Sequence, residues 1–147
     1  MMEIRRIFEN KRDFMPLLLL ADETESSIDA YLHRGDLFAL YDNTLRGVCV
    51  VTDEGDCFEL QNLAVDTRFQ RQGYGRALVN FIFEHYAGRQ KPMRVGTGDS
   101  PNTVPFYESC GFVFTHRVVD YIFDRFGPIY ENGLMLRDKV YFVKELR

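Results

Sequence analysis

Apolar residues along the chain follow two kinds of spacing, and each predicts a different element of secondary structure. Where they recur every three or four residues they predict an amphipathic helix, and where they alternate or run together they predict a strand. Helical spacing occurs at residues 13–21, 28–32, 73–86 and 102–110. Strand-like runs occupy residues 3–8, 37–41, 47–52, 58–65, 93–97, 112–123 and 135–146.

The order of these elements predicts the fold class. The three strands between residues 37 and 65 are joined by short turns such as Asp42-Asn43, so we expect an antiparallel meander there. The helix at 73–86 separates two strands, which predicts a parallel crossover from 58–65 to 93–97. We therefore predict a mixed α+β fold in one domain over residues 1–147, a length typical of a single domain.

Composition and charge exclude some classes of function. The net charge is −4, whereas nucleic-acid binding needs a basic face. The N-terminal residues lack an apolar signal segment, and the longest apolar stretch, residues 14–21, is too short to cross a bilayer. We expect a cytoplasmic protein without nucleic-acid or membrane partners. The cysteines and histidines share no metal-ligand spacing, so we expect no catalytic metal.

The most informative segment lies between the strand at 58–65 and the helix at 73–86. Its residues are Gln70, Arg71, Gln72, Gly73, Tyr74, Gly75 and Arg76. The first turn of a helix has unpaired backbone N–H groups and a partial positive charge, so phosphates bind there. Because Gly73 and Gly75 lack a Cβ, a ligand can approach the backbone closely, and Arg71 and Arg76 add positive charge. This segment predicts a site for an anionic ligand, which we infer to be a diphosphate.

Two common diphosphate motifs do not fit this segment. A P-loop requires Gly-Lys followed by Ser or Thr, where this chain has Gly73-Tyr74-Gly75-Arg76. A dinucleotide-binding fingerprint requires a third glycine three residues after Gly75, where this chain has Leu78. Taken alone, the two glycines have an alternative interpretation, which is a tight turn into a helix.

Two motifs together resemble the GNAT family of acyl-CoA N-acyltransferases. Gln-x-x-Gly-x-Gly at residues 70–75 is similar to the family's coenzyme A pyrophosphate loop, and Tyr107-x-x-x-Gly111-Phe112 is similar to its second signature. The resemblance covers nearly the whole chain. It implies a central, mostly antiparallel sheet that is flanked by helices and splayed between strands 4 and 5, with acetyl-CoA in the gap.

The resemblance also implies which residues bind acetyl-CoA. The backbone of Leu63, Ala64 and Val65 would pair with the pantetheine arm, and the loop at 71–76 would hold the pyrophosphate. The family usually has an Asn seven residues before the signature tyrosine, and this chain has Ser100 there. We expect a cofactor contact from Ser100 or from the nearby Asn102, which is also the predicted N-cap of its helix.

The implied reaction is direct attack of a neutral amine on the thioester within a ternary complex, and Tyr107 is the candidate general acid. By resemblance its hydroxyl points at the sulfur. A phenol with a pKa near ~10 is protonated at neutral pH and can protonate a departing thiolate. The alternative role is a core tyrosine whose hydroxyl only contacts coenzyme A.

Glu59 is the candidate base, acting directly or through water. Strand alternation would place it on one face with Gln61, Leu63 and Val65, and it looks like the fourth-strand glutamate that many family members use. The alternative is a solvated carboxylate at the sheet edge. Weaker candidates are Asp99 and Asp120.

The acceptor is a primary amine of a small molecule or peptide that the sequence does not identify. In this fold the acceptor side is usually flanked by the segments that correspond to residues 22–34 and 123–132. Their aromatic and acidic side chains could hold a cationic amine, or could instead form a homodimer contact. The alternative function is a non-catalytic acyl-CoA-binding sensor or interaction domain on the same scaffold.

Overall fold

A mixed sheet of seven strands organises the computed structural model, which describes residues 1–146. The strands are β1 (Met2–Ile7), β2 (Asp36–Asp42), β3 (Thr44–Asp53), β4 (Phe58–Val65), β5 (Met93–Gly98), β6 (Val113–Val118) and β9 (Lys139–Lys144). Their order across the sheet is β1-β2-β3-β4-β5-β9-β6. Two further strands, β7 (Ile129–Glu131) and β8 (Leu134–Leu136), form a separate hairpin. All pairings are antiparallel except that of β4 with β5.

Helices connect these strands in the predicted order as far as β6. Within residues 1–146 they are α1 (Met15–Leu18), α2 (Glu25–Leu32), α3 (Tyr74–Tyr86), α4 (Val104–Ser109) and α5 (Tyr121–Phe126), and α5 is an additional helix that was not predicted. Short 3-10 turns at Lys11–Phe14 and Thr67–Phe69 precede α1 and α3. The prediction of a mixed α+β fold with one parallel crossover is confirmed.

The two faces of the sheet are covered by different helices. On one face Leu78 and Ile82 of α3 are fully buried in a cluster with Phe38. On the other face Leu18 of α1 and Ile28 of α2 are fully buried in a second cluster. Because side chains alternate along each strand, neighbouring residues of β2 contribute to both clusters. Apolar burial on both faces holds the central strands in place and thereby fixes the ends of β4 and β5.

Strands β4 and β5 separate partway along their length. They are paired in parallel only at Phe58, Glu59 and Leu60, whose partners begin at Met93 and end at Val95. Yet β4 continues to Val65 and β5 to Gly98. The splay between strands 4 and 5 that the family resemblance implied is therefore present, and it leaves a gap in the sheet beyond Leu60.

A β-bulge at Gln61 changes which residues of β4 share a face. Leu60 is opposite Val51 and Asn62 is opposite Val50, so Gln61 is the extra residue. Leu60 before the bulge and Leu63 after it both contribute to the α3 cluster. Glu59, adjacent to Leu60, therefore faces the α1–α2 side. The prediction that Glu59 shares a face with Leu63 and Val65 was wrong, because simple alternation does not allow for an inserted residue.

The C-terminal region differs from the predicted pair of long strands at 112–123 and 135–146. The first is a shorter strand, β6, followed by α5, and the second is divided between β8 and β9. The division after β6 occurs at Asp120, which has a φ of 58° and whose N–H donates to an Asp138 carboxylate oxygen at 2.8 Å. A positive φ interrupts an extended strand, and apolar content alone did not reveal it.

The first helix is also shorter than the predicted segment at 13–21. Pro16 lies in the first turn of α1, where proline is tolerated because that N–H has no partner within a helix. The chain after Leu18 continues in 3-10 bonds, with Leu20 N–H donating to the Leu17 carbonyl at 3.0 Å.

No helix within residues 1–146 has the length and apolar content needed to cross a membrane.

Truncation of a fully buried residue of α3 tests this packing. Leu78 is 0% exposed, so Leu78→Ala should lower the free energy of unfolding by about 2–5 kcal/mol. The matched control is Asn80→Ala, at an exposed position of the same helix, which should change it by no more than ~0.5 kcal/mol. Urea unfolding measures both. Equal effects of the two variants would mean that α3 does not pack as described.

Candidate active site

The backbone of the loop from β4 to α3 is shaped by a glycine and by a residue with a left-handed φ value. Asp66 begins the Thr67–Phe69 turn by accepting a hydrogen bond from Arg68 N–H. The Gln70 side-chain amide then donates to the Val65 carbonyl at 3.1 Å, which ties the loop back to the end of β4. Arg71 has a φ of 63°, and Gly73, the N-cap of α3, has a φ of 91°. These positive φ values turn the chain directly from the sheet into the helix.

The N-terminus of α3 presents open hydrogen-bond donors. Its N-cap is a glycine and provides no side-chain acceptor. Among the described residues the backbone N–H groups of Gly75 and Arg76 have no acceptor, and the first helical bond runs from Ala77 N–H to the Gly73 carbonyl. A 13-residue helix adds its partial positive charge at this end. An anion with several oxygens fits this loop, as the sequence predicted.

Two side chains at the start of α3, Tyr74 and Arg76, bond to other parts of the chain and fix the position of the loop. Tyr74 is buried and its hydroxyl donates to an Asp42 carboxylate oxygen at 2.7 Å, a bond that raises the pKa of the phenol. Arg76 donates to the Ser109 hydroxyl at 2.7 Å, at the end of α4. A Cβ on Gly75 would lie 3.4 Å from the Phe106 ring, so the glycine also permits close packing of α3 against α4.

The gap between β4 and β5 leads into a cleft of about 610 Å³. Leu63 of β4 and Gly96 of β5 line the cleft at the gap, and Tyr107 of α4 lines it as well. Its outer walls come from residues 20–34, which include α2, and from residues 121–136, which include α5. These are the two segments that the resemblance placed on the acceptor side.

Tyr107 has the environment of a phenol that remains protonated. It is 8% exposed, and its ring packs edge-on against Phe106 and Phe112 at centroid distances of 5.3 and 5.7 Å. Burial raises the pKa of Tyr107 above its ordinary value, with smaller contributions from two cysteine thiols. No described residue hydrogen-bonds to its hydroxyl, which leaves that group available to a ligand in the cleft.

Glu59, the predicted base, is held in an ion pair. Its carboxylate accepts a hydrogen bond from Arg94 Nε at 2.7 Å, and Glu59 is 7% exposed. The pair links β4 to β5 just before the strands separate. The described residues that line the cleft do not include Glu59, so the structure does not bring it beside Tyr107. This placement favours a structural role over that of a solvated edge carboxylate.

Ser100 and Asn102, the two residues predicted to contact the cofactor after β5, meet at one carboxylate. Glu131 accepts hydrogen bonds from the Ser100 hydroxyl at 2.7 Å and from the Asn102 side-chain amide at 2.8 Å. The Ser100 hydroxyl also accepts from Asn102 N–H at 3.1 Å. The N-cap of α4 is Thr103 rather than Asn102, although Pro105 does lie in the first turn.

Sequence reasoning missed Asn62, which lies on the floor of the cleft and is 3% exposed. Its side-chain amide donates to the Leu18 carbonyl and to the Tyr31 hydroxyl, both at 3.0 Å. Tyr31 in turn donates to Asp22 at 3.0 Å. The available signal was a polar residue in a strand expected to be central, but Glu59 and Gln61 are polar residues of the same strand. The significance of Asn62 depends on the bulge, which alternation does not predict.

The elements of the site have complementary properties. A helix N-terminus with open donors lies next to a strand gap, and that gap opens into a cleft containing a protonated phenol. Such an arrangement suits an acyltransferase whose donor is long and bears a diphosphate. Among the described residues no group of three or more His, Cys, Asp or Glu side chains is placed to hold a metal ion.

Comparisons with known proteins identify the family. A model of the acetyltransferase (GNAT) domain matches residues 33–114. The uncharacterised N-acetyltransferase YvbK of Bacillus subtilis is 31% identical over 137 residues, which cover 90% of this chain and 88% of that protein. The chain belongs to the GNAT acetyltransferase family. The predicted family and enzyme class are therefore confirmed.

Solved structures agree in fold over the full length. A GNAT family acetyltransferase from Elizabethkingia anophelis, with acetyl-CoA bound, has a TM-score of 0.91 and 29% identity, covering 99% of this chain and 98% of that one. A Bacillus subtilis acetyltransferase in complex with CoA has a TM-score of 0.91 and 28% identity, covering 100% of both chains. The predicted GNAT fold is confirmed.

Replacement of one glycine tests the anion loop. Gly73→Glu would put a carboxylate where the diphosphate is expected, so acetyl-CoA affinity should fall by more than ~100-fold, measured by titration calorimetry. The matched control is Gly88→Glu at the other end of α3. Both glycines have a positive φ, 91° and 82°, and a Cβ on either would meet nothing within 4 Å, so the two substitutions impose similar backbone strain. Wild-type affinity in Gly73→Glu, or equal losses in both variants, would contradict the loop assignment.

Proposed function

We propose that this chain transfers an acetyl group from acetyl-CoA to a primary amine bound in the cleft, by direct attack within a ternary complex. The observation that carries the proposal is the continuity between three features: the open N–H groups at Gly75 and Arg76, the β4–β5 gap, and the cleft that Tyr107 lines. A donor with a diphosphate at one end and a thioester at the other would follow this path.

The donor would bind mainly to the backbone. The diphosphate would accept from the N–H groups of the loop at 71–76. Between Leu63 and Val65, β4 pairs with β3 on one side, while the described part of β5 offers no pairing there. Exposed strand amides need hydrogen-bond partners, and the pantetheine amides can supply them. The acetyl-CoA and CoA bound by the two similar proteins support this donor.

Tyr107 would act as general acid toward the departing thiolate. A free alkylamine has a pKa near ~10.4 and attacks only after losing a proton, and the thiolate formed needs a proton in return. Because burial raises the pKa of Tyr107, its phenol remains protonated at neutral pH. Tyr107 lines the cleft, and no described residue hydrogen-bonds to its hydroxyl, which supports this role.

The predicted base, which would accept the proton of the attacking amine, does not lie beside the cleft as Tyr107 does. Glu59 lies on the sheet face toward α1 and α2 but does not line the cleft. We therefore propose that Glu59 acts as base only through intervening water, and that its ion pair with Arg94 holds β4 and β5 together before the gap. Water in the cleft is the other route for this proton.

The remaining expectations concern the extent of the unit and its partners. The main seven-stranded sheet takes its first strand from Met2 and its last from Lys144, which supports a single acetyltransferase domain over residues 1–147. Ser100 and Asn102 would contact the cofactor only by sharing or releasing their bonds to Glu131. Homodimer formation stays a prediction.

Release of free thiol from acetyl-CoA over a panel of amines separates catalysis from a sensor that binds acetyl-CoA without turnover.

Loss of the phenolic hydroxyl tests the acid role. Tyr107→Phe should lower kcat by ~10²–10⁴ because the thiolate loses its proton donor, while acetyl-CoA affinity stays near the wild-type value. The matched control is Tyr86→Phe, a buried tyrosine of α3 that bonds to Asp36 and lies outside the cleft. That variant should lose about 1 kcal/mol of stability and little kcat. A wild-type kcat in Tyr107→Phe would remove the acid assignment.

A further inference from the structure

The two ends of the acceptor cleft differ in the chemistry they offer. We propose that the acceptor carries a carboxylate as well as a primary amine, with the amine at Asn62 and Tyr31 and the carboxylate at Arg125 and Lys139. The proposal rests on the proposed acetyl transfer and names the substrate class for it. An amino acid is the simplest molecule of this kind.

Asn62 supplies an unmet hydrogen-bond acceptor at the first end. Both hydrogens of its side-chain amide are donated, to the Leu18 carbonyl and to the Tyr31 hydroxyl. Its Oδ1 is buried and has no partner among the described residues. Turning the amide over would place its oxygen against the Leu18 carbonyl, so the orientation is fixed. A buried acceptor without a partner is unfavourable. Because Asn62 lines the cleft, a bound amine that displaces the side chains covering this oxygen would satisfy it.

Negative charge lies behind this acceptor. Tyr31 donates its hydroxyl to Asp22 at 3.0 Å, and burial, together with the Asp22 charge, raises the pKa of Tyr31. The phenol therefore stays neutral and the charge remains on Asp22, which also lines the cleft. An approaching ammonium group is attracted to this end, and its N–H bonds match the free Asn62 oxygen.

The second end has two cations next to one aromatic ring. The Arg125 guanidinium carbon is 3.7 Å from the centroid of the Tyr121 ring, and the Lys139 ammonium is 4.8 Å from the same centroid. Within residues 1–146 neither cation forms an ion pair with a carboxylate. By contrast Arg34, the other cleft-lining arginine, donates to Glu54 at 2.7 Å. Two neighbouring cations without a counterion attract an anionic group.

Gly96 of β5 determines where the Lys139 side chain lies. A Cβ on residue 96 would come within 2.5 Å of Lys139 Cε and 2.6 Å of the Tyr141 ring. The lysine stem therefore crosses β5 at a position without a side chain, beside the gap where Gly96 lines the cleft. Its ammonium is in this way directed to the cleft instead of to bulk solvent.

These charges favour an amino carboxylate over a diamine. A second ammonium at the Arg125–Lys139 end would meet two like charges. The cleft-lining carboxylate in residues 121–136, Glu131, already accepts bonds from Ser100 and Asn102. A carboxylate there would instead form charge-assisted hydrogen bonds, with a guanidinium able to bind both of its oxygens.

Matched acceptors test the proposal with the full-length protein. We would measure acetyl transfer to the twenty standard amino acids, to their α-amides and to a short diamine, at saturating acetyl-CoA. The amide keeps the amine and the side chain and removes only the carboxylate. For accepted side chains we expect kcat/KM to favour the acid over its amide by at least about tenfold, which is ~1.4 kcal/mol.

Charge-removing variants locate the carboxylate site. Arg125→Gln and Lys139→Gln, singly and together, should reduce the acid-to-amide ratio toward one, mainly by raising KM for the acids. The matched control is Arg137→Gln, which removes a cation that pairs with Asp120 and lies outside the cleft, and it should keep the wild-type ratio. Asn62→Leu should lower kcat/KM for acids and amides by the same factor, because both share the amine.

Several outcomes would overturn the inference. The carboxylate site would be contradicted if the amides or the diamine were acetylated as efficiently as the acids. It would also be contradicted if the acid-to-amide ratio of kcat/KM were unaffected in both Arg125→Gln and Lys139→Gln. Either result would leave acetyl transfer intact. A loss in Asn62→Leu confined to one class of acceptor would contradict the amine site. Binding of acetyl-CoA with transfer to no amine at all would instead contradict the proposed function, and the inference would fail with it.

Discussion

The separation of β4 from β5 after only three paired residues is the constraint on which the rest of the site depends. Beyond that point β4 has one hydrogen-bonded neighbour, so its backbone amides face an open gap. The gap is maintained by burial elsewhere, because α3 packs on one face of the sheet and α1 with α2 on the other. It connects the loop at the start of α3 to Tyr107, and one extended ligand can contact both.

The bulge at Gln61 determines which side chains of β4 lie on each face of the sheet. After it, Leu63 and Val65 pack toward α3 and Asn62 turns toward α1 and α2. The donor path and the acceptor cleft thus share one strand without sharing side chains. In the proposed binding mode the donor meets main-chain groups, whereas the acceptor meets Asn62 and, at the far wall, Arg125 and Lys139. Separate contacts of this kind allow one scaffold to keep its donor while the acceptor walls vary.

Much of the fold was predictable from the sequence, because apolar spacing and short turns specify the meander, the crossover and α3. The tight turn from β4 into α3 was also predictable, since glycines before a helix have a direct physical meaning, and its role in binding an anion stays a prediction. Other features depend on tertiary contacts. The sheet face on which Glu59 lies depends on one inserted residue in β4. The ion pair between Glu59 and Arg94 depends on the register of β4 with β5. The start of α5 depends on the contact between Asp120 and Asp138, and the orientation of Lys139 on the space above Gly96.

A crystal structure of this protein with acetyl-CoA measures the central claim most directly. The account predicts diphosphate oxygens within hydrogen-bond distance of Gly75 and Arg76 N–H, and pantetheine between β4 and β5. It also predicts the thioester sulfur beside the Tyr107 hydroxyl. A diphosphate bound elsewhere, or a thioester outside the gap with Tyr107 turned away from it, would contradict the account.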